Sequence, residues 1–444
     1  MNRSGGAALA AAVLVLLTAA CGSRVPESEF AERRALPEGA PPGGAAPSGA
    51  ASGEPVRVGV IASQTSPVGD AFSGPQDGAQ AYFEALNARG GVNGRPVEVV
   101  TCDDGGSGLG NSDCVRELVL KEKVFALVAT TSLNYAGAPQ VSDAGVPDIG
   151  GQPIGAAYET YPHLYGIYGS RAPRTGGKAG WGGDLYGGTE VYRYFKREHG
   201  ARTAAVVSYN QAASASYARS VTGGLEAEGY DVVTEQVDFA LPNFDAVAAD
   251  LRARDVDLVF DAVDTGGNAK LCQALDEAGV ELTAKVTNVQ NWNSTVPEDF
   301  ADAERCRNSL WVTGSSRNYE DAGHPAVKAF REGMDRYADT DTRSQWQLEG
   351  WAAAMWFADA AKSCGAELTR ECVEDFMART EPYDADGLLL PARFEQLPEP
   401  PETRPTCVSA ARWQDEANDG AGGWVSQGEM TENCFTVPQL PYRP

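Results

Sequence analysis

The chain has 444 residues, of which 61 are acidic and 36 basic, giving a formal net charge of -25. That surplus, with no basic patch to offset it, excludes a nucleic-acid partner, because phosphate binding needs clustered lysine and arginine. A 43% hydrophobic fraction is ordinary for a globular protein, and the length after the first 55 residues suits two domains.

Arg3 precedes an apolar run from Ala7 to Ala20 that ends at Cys21. The run is short for a membrane span and has the layout of a secretory leader, so residues 1–20 are set apart from the fold. The exit Leu17-Thr18-Ala19-Ala20-Cys21 resembles the lipobox of bacterial lipoproteins. That resemblance implies lipidation of Cys21 and export to the outer face of the cell membrane, where two acyl chains hold what one would not. The plainer reading is secretion with a spare thiol. Residues 21–55 are rich in Pro, Gly, Ala and Ser and poor in large apolar groups, which predicts a flexible tether.

From Val56 onward strand and helix patterns alternate, the mark of a parallel sheet covered by helices. Strands are predicted at 56–62, 97–101, 124–129 and 146–149. Ser73 and Pro75 open a helix between the first two, and another is expected over 112–121. Residues 161–175 have no clean period and read as a crossing between domains. The alternation then restarts with a helix at 184–198, strands at 203–208, 231–237, 258–263 and 284–289, and helices between them. After a strand at 310–313, helices are predicted at 324–337 and 345–362, then short strands at 388–394, 407–413 and 423–426. Two α/β halves joined by several crossings imply a hinged cleft.

Apart from Cys21 there are eight cysteines, and an even set in an exported chain reads as disulfides. Proximity in sequence pairs Cys102 with Cys114, Cys272 with Cys306, Cys364 with Cys372, and Cys407 with Cys434, among 105 possible connectivities.

The stretch FSGPQDGAQAYFEALNARGGVNGRPVEVVTCDD, with CVRELVLKEKVFALVATTS and VSDAGVPDIGG after it, resembles the type I periplasmic-binding-protein fold of the branched-chain amino acid binding family. The resemblance implies two doubly wound parallel-sheet α/β lobes, a venus flytrap closing on one small polar solute, and delivery of that solute to an ABC importer's permease without any cofactor. It assigns residues 56–170 and 342–384 to the first lobe and 171–341 and 385–435 to the second. Residues 436–444 remain as a tail. Recruitment of this fold as a lipid-anchored sensor is the alternative, since fold alone does not fix function.

Ligands of open α/β lobes sit beyond the C-terminal ends of strands. In the first lobe these ends present Gln64, Thr131, Ser132, Gly151 and Gln152. The resembled family uses the loops holding Thr131–Ser132 and Gly151–Gln152 to bind a ligand carboxylate. In the second lobe they present Tyr209, Asp264 and Trp292, with Asp264 placed to meet an ammonium group and Trp292 to wall the cleft. Helix capping is the competing role for the hydroxyls and for Asp264, and core packing for Trp292. The family's tyrosine after the 203–208 strand gives way here to AASAS at 212–216, which opens the ligand to another small carboxylate, an amide or a nucleobase-like solute. Catalysis and metal binding have little support. His163, His199 and His324 lie in separate elements without zinc-site spacing, and no G-x-S-x-G turn exists. GGSGLGN at Gly105 lacks the lysine of a phosphate loop, and DADG at Asp384 has its glycine misplaced for a calcium loop.

Overall fold

The structure, a computed structural model, describes residues 51–66 and 70–443. The expected leader, Cys21 and the tether up to residue 50 lie outside the described residues.

The first lobe is a five-stranded parallel sheet in the order β2-β1-β3-β4-β5. β1 (Val56–Ala62) is apolar and buried at almost every position, as a central strand with both faces covered must be. β2 (Val97–Asp103) is the partly exposed edge. Between them runs α1 (Gly74–Asn87), with Pro75 in its first turn. The next helix, α2 (Gly108–Val115), starts earlier than expected because Ser107 caps it, its Oγ accepting the Gly110 N–H at 3.0 Å. A π-helical turn continues it through Arg116–Lys121. The glycine-rich GGSGLGN stretch therefore becomes a helix start, enclosed by the Cys102–Cys114 disulfide. β3 (Ala126–Val128), α3 (Ala138–Asp143), β4 (Asp148–Gly151) and β5 (Leu164–Gly166) complete the sheet.

After β6 (Leu185–Gly188) and α4 (Glu190–Glu198), the second lobe builds a seven-stranded sheet. Its elements are β7 (Thr203–Tyr209), α5 (Ala212–Ala227), β8 (Asp231–Val237), α6 (Phe244–Ala253), β9 (Leu258–Ala262), α7 (Thr265–Ala278), β10 (Ala284–Val286) and β11 (Leu310–Gly314). Strands β8-β7-β9-β10-β11 are parallel and repeat the strand order of the first lobe, a repeat invisible in the sequence.

The chain then returns to the first lobe. α8 (Pro325–Tyr337) sets Phe330 edge-on to Trp351, with ring centroids 5.9 Å apart, and Gly333 lies under the same indole. The family resemblance implied a place for this helix in the second lobe, at 171–341; its apolar face packs on Trp351 of the first. α9 (Gln345–Ser363) opens with a capping box of Ser344 and Gln347 and is apolar nearly all round, as a helix enclosed by others must be. It crosses α1 where both are glycine. A Cβ on Gly78 would lie 1.8 Å from the Gln347 carbonyl oxygen, and one on Gly350 would lie 2.0 Å from that of Pro75. α10 (Arg370–Met377), which the pattern did not announce, is capped by Thr369. Residues 388–394 form isolated bridges to neighbouring segments instead of the expected strand, and Asp384–Gly387 is a turn.

A small third sheet, β12-β15-β6, holds β12 (Thr403–Cys407) and β15 (Cys434–Tyr442). Residues 436–442 are thus strand rather than tail, and the expected helix from Asp184 begins as β6 because β15 pairs with it. β13 (Ser409–Gln414) and β14 (Gly423–Ser426) extend the second-lobe sheet antiparallel to β11. The other three disulfides join Cys272 to Cys306, Cys364 to Cys372 and Cys407 to Cys434.

Three crossings lie side by side between the lobes. Backbone bonds join Ser170 N–H to Arg393 O at 3.0 Å, Leu390 N–H to Ser315 O at 2.7 Å and Arg317 N–H to Leu388 O at 2.7 Å.

Candidate functional site

Strand C-termini of both lobes open onto one cleft of about 850 Å³. Gln64, just beyond β1, lines it and donates to Gln76 Oε1 at 2.7 Å. Ser73, Gly74 and Asp77 bring in the first turn of α1, and Gln347 the start of α9. Burial pushes the Asp77 carboxyl up to about 6, against the pull of hydrogen bonds from the Gln347 and Ser73 side chains.

Across the gap Asp264 ends the β9 connection and caps α7. Its Oδ1 accepts the Gly267 N–H at 2.7 Å and the Tyr209 hydroxyl at 3.4 Å. Capping and cleft exposure therefore coexist in one side chain. Gln290, Asn293, Thr295 and Asp299 continue this wall, with Thr295 donating to Asp299 Oδ2 at 2.6 Å. The 339–344 segment, between α8 and α9, closes the side and is fastened to the second lobe by Ser294 N–H to Arg343 O at 2.8 Å.

The remaining expected residues lie outside this lining. Thr131 is fully buried and donates to Ala129 O at 3.1 Å. Ser132 donates to Asp104 and accepts from Asn111, while Ser63 donates to the same Asp104 at 2.6 Å. This buried network ties the ends of β1, β2 and β3 together. Gly151 packs under the Tyr158 hydroxyl, where a Cβ would be 1.6 Å away. Gln152 is buried and donates to Glu349 Oε2 at 2.7 Å. Trp292 is a correction: it is fully buried in the core, its indole N–H donating to Asn318 Oδ1 at 3.2 Å, and walls no cleft. The structure thus brings Gln64 and Asp264 together, with Tyr209 behind Asp264. Sequence reasoning missed Asp77, Gln347, Asn293, Thr295, Asp299 and the 339–344 segment. The Ser344–Gln347 capping box was the one signal pointing to part of that set.

Beside the crossings, buried Glu349 accepts from Gln152, from the Tyr168 hydroxyl at 2.9 Å and from the Ser316 hydroxyl at 2.5 Å. Burial raises its pKa, and no cation is among these partners. One helix of the first lobe is thereby bonded to two of the three crossings.

The family described as periplasmic binding protein matches residues 55–418. Among solved structures, the leucine binding protein LivK from Thermotoga maritima is similar, at 16% identity and a TM-score of 0.61, covering 86% of this chain and 99% of that one. The branched-chain amino acid substrate binding protein LivJ from Streptococcus pneumoniae, in complex with isoleucine, shares 16% identity at a TM-score of 0.61, over 84% of this chain and all of that one (100%). A solute binding protein of an ABC transporter from R. palustris, in complex with benzoate, shares 15% identity at a TM-score of 0.61, over 87% and 98% of the two chains. No curated protein sequence matches.

Proposed function

The chain belongs to the periplasmic-binding-protein family, and from that premise we propose that it is a lipid-anchored receptor that captures a small polar solute between its lobes and passes it to an ABC importer. The observation that carries the proposal is the cleft itself: two lobes of the same strand order turn their strand ends toward one polar gap, as ligand sites of open α/β sheets do. Amino acids and related carboxylates or amides are the solute class to test first, the relatives above having been crystallised with isoleucine and benzoate. Gln64 and Asp264 are the contacts proposed from opposite walls. The lobe boundaries that suit this reading are residues 56–170 with 325–384, and 171–324 with 385–442. Cys21 is the proposed lipid attachment, after removal of residues 1–20, with the tether holding the receptor off the membrane. Binding and release without chemistry need only a hinge, and the three hydrogen-bonded crossings supply one.

A thermal-shift screen of the purified protein against amino acids, amides, short peptides and nucleobases tests the reading. A solute at one hundred times its dissociation constant stabilises the protein by about 2.7 kcal/mol. The expected hit loses its shift in Asp264→Ala. A screen without a stabilising solute, or a hit indifferent to every cleft substitution, refutes the proposal.

A further inference from the structure

We propose that the solute taken by this cleft carries a net positive charge, as an amine or guanidine: the carboxylates of Asp77, Asp264, Asp299 and Asp339 line the cleft and, among the described residues, no lysine, arginine or histidine does. The inference rests on the cleft being the solute site, as proposed above, and adds the charge of what enters it. The acidic groups do not define the site; the gap between the lobes does, and they set its sign.

The carboxylates are uncompensated. Among the described residues none of the four is in an ion pair. The partners they have are neutral donors: the Gln347 and Ser73 side chains at Asp77, the Gly267 N–H and Tyr209 hydroxyl at Asp264, and the Thr295 hydroxyl at Asp299. Arg343, adjacent in sequence to lining residues, is already spent. Its guanidinium is bonded to Asp335 at 2.7 Å and to the carbonyl oxygens of Thr340 and Thr342 at 2.7 and 2.9 Å.

The placement of the charges strengthens the point. Asp77 stands on the first-lobe wall, Asp264 and Asp299 on the second, and Asp339 on the connecting side. Closing the lobes on an empty or anionic cleft drives like charges together in a shrinking, less aqueous space, where their repulsion grows. A cation between the walls reverses that sign, so the charge that makes it bind also makes the lobes close. A carboxylate on the solute finds no counterion here, and the first-lobe hydroxyls that would hold it, those of Thr131 and Ser132, are buried in their own bonds.

Calorimetric titration of the mature protein decides the matter with probes that differ in charge: agmatine, putrescine and L-arginine as cations, L-leucine as zwitterion, benzoate as anion and urea as neutral control. The expected result is that at least one cation binds at least about tenfold more tightly than all the others. Asp77→Asn and Asp264→Asn should then each weaken it by about tenfold or more, the range for hydrogen bonds to a charged group. Asp339→Asn, an exposed position, tests the same charge without risk to folding, and a melting curve for each variant confirms the fold. Tighter binding of leucine, benzoate or urea overturns the charge assignment and leaves the solute-receptor reading standing. Cation binding that none of the three variants weakens also overturns it, as does binding of no probe up to millimolar concentration, which leaves the receptor reading to the wider thermal-shift screen.

Discussion

Asp148 offers a prediction whose size is set by the structure. It opens β4, is fully buried, and accepts hydrogen bonds from the hydroxyls of Tyr135 at 2.6 Å, Tyr158 at 2.8 Å and Thr130 at 3.1 Å. Burial outweighs these three donors and lifts its pKa from 3.8 to about 6. At roughly 1.36 kcal/mol per pKa unit, that gap corresponds to about 3 kcal/mol. The folded protein holds this proton more tightly than the unfolded chain, so the associated stability is fully present below pH 3.8 and is lost as pH rises through about 6. Asp148→Asn keeps the shape and removes the titration. Urea unfolding of both proteins from pH 4 to pH 7.5 gives the test, since taking the difference cancels the other titrating groups. The variant should gain about 2.5 kcal/mol on the wild type across that range, the rest of the effect lying below pH 4. A difference that stays flat with pH refutes the claim that Asp148 is ionised at a cost in the native state.

Other substitutions probe the packing. Lys285 and Asp261 form an ion pair at 2.7 Å with both side chains wholly buried, so Lys285→Met should cost about 3–5 kcal/mol by stranding the carboxylate. Adding Asp261→Asn should restore much of that loss in chemical denaturation, and a loss under about 1 kcal/mol for the single variant would contradict the burial of the pair. Gly350→Ala pushes α9 off α1 and should destabilise the protein by about 1–3 kcal/mol or more, while disturbing Gln347 and Asp77 in the cleft; an unchanged melting temperature counts against the close approach. Replacing Cys102 and Cys114 by serine frees a loop with a separation of 12 residues and should cost about 3 kcal/mol, read in the same assay.

Much of the architecture was legible because parallel strands buried on both faces must be apolar runs, as VRVGVIA is, and because helices between them show one apolar stripe. Gln64 and Asp264 were legible for a related reason, lying just past strand ends where such sheets bind ligands. The same rule could not separate Thr131 and Ser132 from them. A hydroxyl at a strand end serves a buried neighbour such as Asp104 as readily as a ligand. Asp77 and Gln347 were hidden because they meet only when α9, far along the chain, lies on the first turn of α1. Strand β15 was masked by Pro438 and Pro441, which argue against a central strand. It tolerates them because residues 434–438 pair only with β12 and residues 439–442 only with β6, leaving one side of the backbone free at each proline.

Hydrogen–deuterium exchange with and without the tightest-binding solute tests solute capture between the lobes most directly. Amides in residues 64–66 and 71–77 of one wall and 264–299 of the other should slow together, along with those of residues 339–347. Protection confined to one lobe, or to a surface away from these segments, contradicts the account.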